Sequence, residues 1–216
     1  MRVACFRQII AGTIVAALLA SLPACGNRET ARENPAGATN SLVQERIARE
    51  EAFRTSPDSP IPAEKRGSFH GLQYYPVDET LKFSVQLKRH PNPQRIRLST
   101  NTGEIRSGLR YGYFDFSVDG QSCRLQVYRL DAVEGNGGAN LFIPFRDATS
   151  GNETYGSGRY IDLTENTTGI YELDFNRAYN PYCAFNSRYS CPLPPAENVL
   201  KVPIRAGEKL PIFSSQ

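Results

Sequence analysis

Gly112-Tyr113-Phe114-Asp115-Phe116-Ser117-Val118-Asp119-Gly120-Gln121-Ser122-Cys123-Arg124-Leu125-Gln126-Val127 is the run that decides the fold. Asp119-Gly120 is the dipeptide of a two-residue type I′ turn, in which both central residues take φ > 0 and the twist of the turn matches that of the strands. A register set from that turn pairs Phe116 with Cys123, Phe114 with Leu125 and Gly112 with Val127, all on one face. The other face pairs Asp115 with Arg124 and Tyr113 with Gln126. A single register thus separates apolar from polar side chains and sets opposite charges side by side. Cys123 falls on the apolar face, where a thiol behaves as a small hydrophobe.

The same period of two continues on both sides. Lys82-Phe83-Ser84-Val85-Gln86-Leu87-Lys88 and Gln94-Arg95-Ile96-Arg97-Leu98-Ser99 alternate, as half-buried antiparallel strands do. Further strands are expected at Asn140–Phe145, Arg159–Leu163, Ile170–Phe175 and Asn198–Ile204, with Gly-rich loops at Asp131–Ala139 and Asp147–Gly158. There is no internal repeat and no break in composition within residues 41–216. The pattern predicts one mainly β domain, an antiparallel sandwich or barrel.

Ahead of the strands, Ser41 to Arg54 reads as an α-helix. Ser41-Leu42-Val43-Gln44 fits a capping box, and Leu42, Val43, Ile47 and Phe53 form a loose apolar stripe. Glu45, Arg46, Arg49, Glu50 and Glu51 are its predicted wet side. Pro57, Pro60 and Pro62 end the helix, because proline cannot continue one.

The N-terminus is an address. Arg2 and Arg7 flank an apolar stretch from Ile9 to Leu22, and Leu22-Pro23-Ala24-Cys25 follows. A positive flank, a short apolar region and a small residue before the cut mark a secretory signal over residues 1–24. The apolar stretch falls short of the ~20 residues that span a bilayer core. Leu-Pro-Ala-Cys resembles the bacterial lipobox. That resemblance implies cleavage before Cys25, lipid on its thiol, and, with Gly26 rather than Asp next, delivery to the outer membrane if the cell has one. Residues 25–40, small and polar, read as a flexible tether between the lipid and the fold.

Composition excludes some partners. The chain has 216 residues and a formal net charge of +3; losing residues 1–24 removes Arg2, Arg7 and no acid, which leaves +1. A near-neutral protein has no basic field to hold nucleic acid. Of five cysteines, Cys5 leaves with the signal and Cys25 carries lipid. Outside the cytoplasm, the remaining three suggest one disulfide and one free thiol. Cys183 and Cys191 are the expected pair, because they close the irregular segment Ala184–Ser190. Their spacing is not that of a zinc site, and only His70 and His90 could add ligands; no metal is expected.

The C-terminal third is dense in Asp, Glu, Asn, Arg and Tyr. Its most distinctive runs are Thr154-Tyr155-Gly156-Ser157-Gly158-Arg159-Tyr160, Asp174-Phe175-Asn176-Arg177-Ala178-Tyr179-Asn180-Pro181-Tyr182-Cys183-Ala184-Phe185-Asn186 and Cys191-Pro192-Leu193-Pro194-Pro195-Ala196-Glu197-Asn198. With Gly71-Leu72 and Ala206-Gly207-Glu208, they resemble the domain-of-unknown-function family 1684 over roughly Ser41 to Lys209. The resemblance brings a family without an activity, and so no catalytic residues or cofactor.

The residues themselves must therefore suggest the chemistry. There is no G-x-S-x-G elbow, H-E-x-x-H pair or G-x-x-x-x-G-K-[ST] loop. His90, in Arg89-His90-Pro91, is expected in an exposed turn. His70, beside Gly71-Leu72 and Tyr74-Tyr75, is the better site candidate. Asp147, Glu153, Tyr155, Arg159, Asp174, Asn176, Tyr179 and Asn180 complete the candidate ligand-binding set. The carboxylates Asp147, Glu153, Asp162 and Asp174 could act as acid and base or hold a hard cation, but Asp and Asn also cap turns and satisfy loop backbone. Two readings follow: an envelope binding or structural module for a small polar ligand or partner, or a carboxylate-dependent hydrolase or other enzyme. Geometry separates them. Two carboxylates facing each other across an open cleft favour the enzyme; carboxylates bound to backbone amides and arginines favour the module.

Overall fold

The computed structural model describes residues 35–131 and 140–213. The signal segment, Cys25, the first part of the tether and the loop at 132–139 lie outside the described residues.

The hairpin has the expected register. Strands β3 (Ile105–Val118) and β4 (Gln121–Leu130) pair Phe116 with Cys123, Phe114 with Leu125, Gly112 with Val127 and Asp115 with Arg124. Asp119 and Gly120 both have positive φ, at 48° and 75°, as a type I′ turn demands. Around this hairpin a five-stranded antiparallel sheet runs in the order β2-β3-β4-β5-β6, with β2 at Lys88–Ser99, β5 at Asn140–Phe145 and β6 at Arg159–Thr164. A second sheet pairs β1 (Lys82–Gln86) antiparallel with β7 (Ile170–Asp174). Val85, Leu87, Tyr171 and Leu173 of this ribbon join Phe114, Leu125, Val127, Ile143 and Ile161 of the large sheet in one buried cluster. The architecture is therefore mainly β and sandwich-like, with no closed barrel.

The other face of the large sheet is covered by loops. Leu98, Tyr128, Phe142 and Tyr160 pack there with Cys183 and Cys191. A third cluster, Phe53, Ile61, Phe69, Leu72 and Phe185, lies under the N-terminal helix.

Four expectations need correction. The helix, α1, runs from Pro35 to Thr55, six residues earlier than expected. Ser41 is thus inside it and bonds Glu45 one turn on, not the backbone of a cap, and the tether's last residues are helical. Val43 and Ile47 are exposed, at 40% and 57%. The inward stripe is buried Leu42 and Phe53 with half-buried Arg46 and Arg49 between them, whose steps of four, three and four follow the helical period. His90 is not in a turn but in β2, against Gln126 and the Tyr113 ring. Strand β2 takes it past Pro91 and Pro93, which an edge strand tolerates at the irregularity between Arg89 and Gln94. Finally, Asn198–Ile204 forms no strand. Leu200, Val202 and Ile204 are buried in alternation as predicted, but the segment makes only one parallel bridge, Val199 to Arg146. Pro203 has no N–H for a ladder, and the amide of Ile204 goes to the Asp147 carboxylate.

Among the described residues, no helix is long and apolar enough to cross a membrane.

Candidate functional site

Arg159 is the largest fully buried side chain among the described residues, with 1% of it exposed, and it opposes a buried Asp147 at 2.9 Å. Its remaining bonds go to the carbonyls of Ile204, Ala206 and Glu208. Asp147 Oδ1 accepts from the Thr149 amide and hydroxyl and from the Ile204 amide. Burial lowers the Arg159 pKa despite the attraction of Asp147. The pair thus ties the Asp147–Gly158 loop and β6 to the C-terminal segment. Its atoms are enclosed and all but Arg159 Nε are engaged, which makes it part of the scaffold.

The strapped segment, Ala206 to Lys209, threads between two others. Glu208 N donates to Ala178 O, Lys209 N to Gln73 O, and Tyr75 N to Gly207 O. Gly207 has φ of 76°, and a Cβ there would lie 2.5 Å from Ala178 O and 2.7 Å from Phe175 O, so no larger residue fits. Glu208 is 1% exposed. It accepts from Arg49 Nε at 2.7 Å, Tyr74 Oη at 3.2 Å and Asn180 N at 2.8 Å. Burial acts against the Arg49 charge, and Glu208 outweighs it, leaving the Arg49 pKa raised. The same carboxylate and the burial of the ring raise the Tyr74 pKa.

Helix α1 closes over this floor. Between them lies a cleft of about 80 Å³, with Leu42, Arg46, Arg49, Tyr74, Ala178 and Tyr179 among its lining residues. Arg46 reaches across to Tyr75 O and Asn176 O, at 3.3 and 3.0 Å, and its guanidinium lies 4.3 Å from the centre of the Tyr74 ring.

Of the predicted site residues, the structure gathers Asp174, Asn176, Tyr179 and Asn180 at or behind this cleft. Asp174 accepts from the Asn176 amide and side chain, and Asn176 grips the backbone of Asp78 in both directions. Asn180 bonds Lys209 O through Nδ2, while its buried Oδ1 has no partner. Tyr179 donates to Asp162 at 2.5 Å; burial of the ring first, and Asp162 second, push its pKa up. Asp147 and Arg159 stand behind the floor. Glu153 lies outside the cleft, holding Arg205 and accepting from Tyr75, and the Arg205 and Tyr75 bonds lower its pKa. Tyr155 points to Cys183, 3.8 Å from its sulfur. His70 is exposed and does not line the cleft.

Cys183 and Cys191 are buried free thiols in the structure and not the expected disulfide, although the Cys183 amide donates to the Cys191 sulfur at 3.4 Å. Cys191 accepts a hydrogen bond from the Cys183 thiol, which, with backbone donors, lowers its pKa against the opposing effect of burial. Among the described residues, no group of three or more His, Cys, Asp or Glu is placed to hold a metal ion.

Arg46, Arg49, Tyr74 and Glu208 were not among the sequence-predicted site residues. One signal for the arginines was present: they fill the two steps between Leu42 and Phe53 at helical spacing. Nothing local marks Glu208, which acts 159 residues away from Arg49.

These features define a class, a β-sandwich-like domain pinned by buried ion pairs and closed by one helix. The chain belongs to the family described as "Protein of unknown function (DUF1684)", which matches residues 67–209. It is also similar to a solution NMR structure, that of the uncharacterized protein from gene locus rrnAC0354 of Haloarcula marismortui. Identity is 35%, the TM-score is 0.62, and the match covers 80% of this chain and 94% of that one. No curated protein matches the chain.

Proposed function

We propose that the protein is a lipid-anchored binding module of the cell envelope that holds a small polar ligand in the cleft under α1. The observation that supports this best is the fate of the carboxylates. Asp147, Glu153, Asp174 and Glu208 are each engaged by an arginine, with backbone amides or a tyrosine hydroxyl completing most of their bonds. A two-carboxylate hydrolase needs a pair opposed across an open cleft, with space for substrate between them, and these four form no such pair. A binding module needs a pocket with a few fixed polar groups, and the α1 cleft has them.

The envelope location rests on Cys25 as the lipid-bearing first residue after loss of residues 1–24. Native mass spectrometry of the mature protein tests the binding reading. The expected result is a small non-covalent adduct, reduced in Tyr74→Ala. Protein without an adduct, whose melting temperature no small polar compound raises, would refute it.

A further inference from the structure

The cleft under α1 holds one charge that the fold leaves unanswered. Three arginines and two glutamates line it. Arg49 is matched by Glu208 and Arg177 by Glu45. Arg46 has no carboxylate partner among the described residues. Its hydrogen bonds go to two backbone carbonyls, and its Nε is buried with no acceptor. A guanidinium has five N–H donors, so most of this one's capacity is unused. Burial lowers the Arg46 pKa, and the more distant Asp174 and Glu208 do not restore it. An uncompensated cation in a partly buried position is costly, and a bound anion removes that cost.

We propose that this cleft is the binding site of a small monocarboxylate, held by an ion pair to the Arg46 guanidinium. The inference rests on the binding-module reading above and narrows its ligand to one class. Charge sets the valence. The cleft's net charge is +1, and a second negative charge on the ligand would face Glu45 and Glu208. A zwitterion gains nothing, because both glutamates already have cations. Shape sets the head group, since a planar fork of N–H donors matches the two oxygens of a carboxylate. Leu42, Ala178 and the Tyr74 ring give a short alkyl tail an apolar wall. Size sets the limit. At ~15 Å³ per water-sized probe, about 80 Å³ admits roughly five non-hydrogen atoms, which suits acetate or propionate.

The test is titration of the mature full-length protein with sodium acetate and sodium propionate, followed by NMR, with acetamide and sodium chloride at matched ionic strength as controls. The expected result is saturable binding in the range on the order of 1–10 mM, as befits four or five heavy atoms. Shifts should be confined to Leu42, Arg46, Tyr74 and Ala178. Arg46→Gln should weaken acetate about tenfold, the loss of one charged hydrogen-bonding partner, with folding checked by circular dichroism. The wild-type comparison of acetate with acetamide stands even if that variant unfolds. Equal binding of acetamide, or of chloride, at the cleft would overturn the carboxylate assignment and leave the binding module intact. Silence of the cleft toward acetate, propionate, acetamide and chloride, combined with adduct-free native protein, would remove both.

Discussion

Arg159 illustrates how a single residue holds distant segments together. A guanidinium with 1% of its side chain exposed survives only because Asp147 and three carbonyls surround it. Truncating one partner strands the other charge in a dry site, which typically costs 3–5 kcal/mol, whereas apolar replacement of both can be neutral. Arg159→Met and Asp147→Leu should therefore each lower urea stability by about 3 kcal/mol or more, and the double variant should recover much of the loss. Equal, additive losses would show that the two side chains act independently. At this scale the sequence was a partial guide. Asp147, Arg159, Asp174 and Asn176 stood out as polar residues in a long irregular region, and they are indeed organised, but as supports. The cleft's own side chains were hidden because Arg46 and Arg49 look like solvent-facing helix residues. Only the position of Leu42 and Phe53 on the same face reveals them.

At the scale of elements, the β3–β4 hairpin was fully legible because its information is local: a turn dipeptide, two faces and one charge pair. Asp115 sits between Arg124 and Lys88, at 2.6 and 2.8 Å, and their hydrogen bonds lower its pKa. A carboxylate whose pKa is lower folded than unfolded adds stability above its unfolded value, near 3.9, and loses it as pH falls through the folded value. The urea midpoint should thus drop as pH is taken from about 5 to below 4, and Asp115→Asn should flatten that part of the profile. Helix α1 and the 198–204 segment were less legible for opposite reasons. The helix extends into residues whose composition reads as linker. The 198–204 segment alternates like a strand, yet Pro203 and the Asp147 carboxylate take its backbone out of any ladder. Side-chain periodicity reports burial correctly there and pairing incorrectly.

At the scale of the whole molecule, α1 is both the first described element and the lid of the cleft. Its inward face is held by Leu42 and Phe53 and by the reach of Arg46 and Arg49 into residues 75, 176, 180 and 208. If Cys25 carries lipid, a membrane lies only ten residues ahead of Pro35. Cys25→Ala should move the protein from the membrane to the soluble fraction on fractionation of the cells, with its melting temperature unchanged. Palmitate still entering that variant would refute the anchor.

The Ala206–Lys209 strap has a consequence for how the chain comes into being. Residues from α1, the 73–75 segment, β6 and the 176–180 turn all converge on a stretch that the ribosome makes after every one of them. Until Glu208 has been added, Arg49 lacks its carboxylate, Arg159 has Asp147 but not its carbonyl partners at Ile204, Ala206 and Glu208, and the floor under α1 is open. A nascent polypeptide halted near Lys201 lacks these contacts and should be a protease substrate rather than a smaller stable domain.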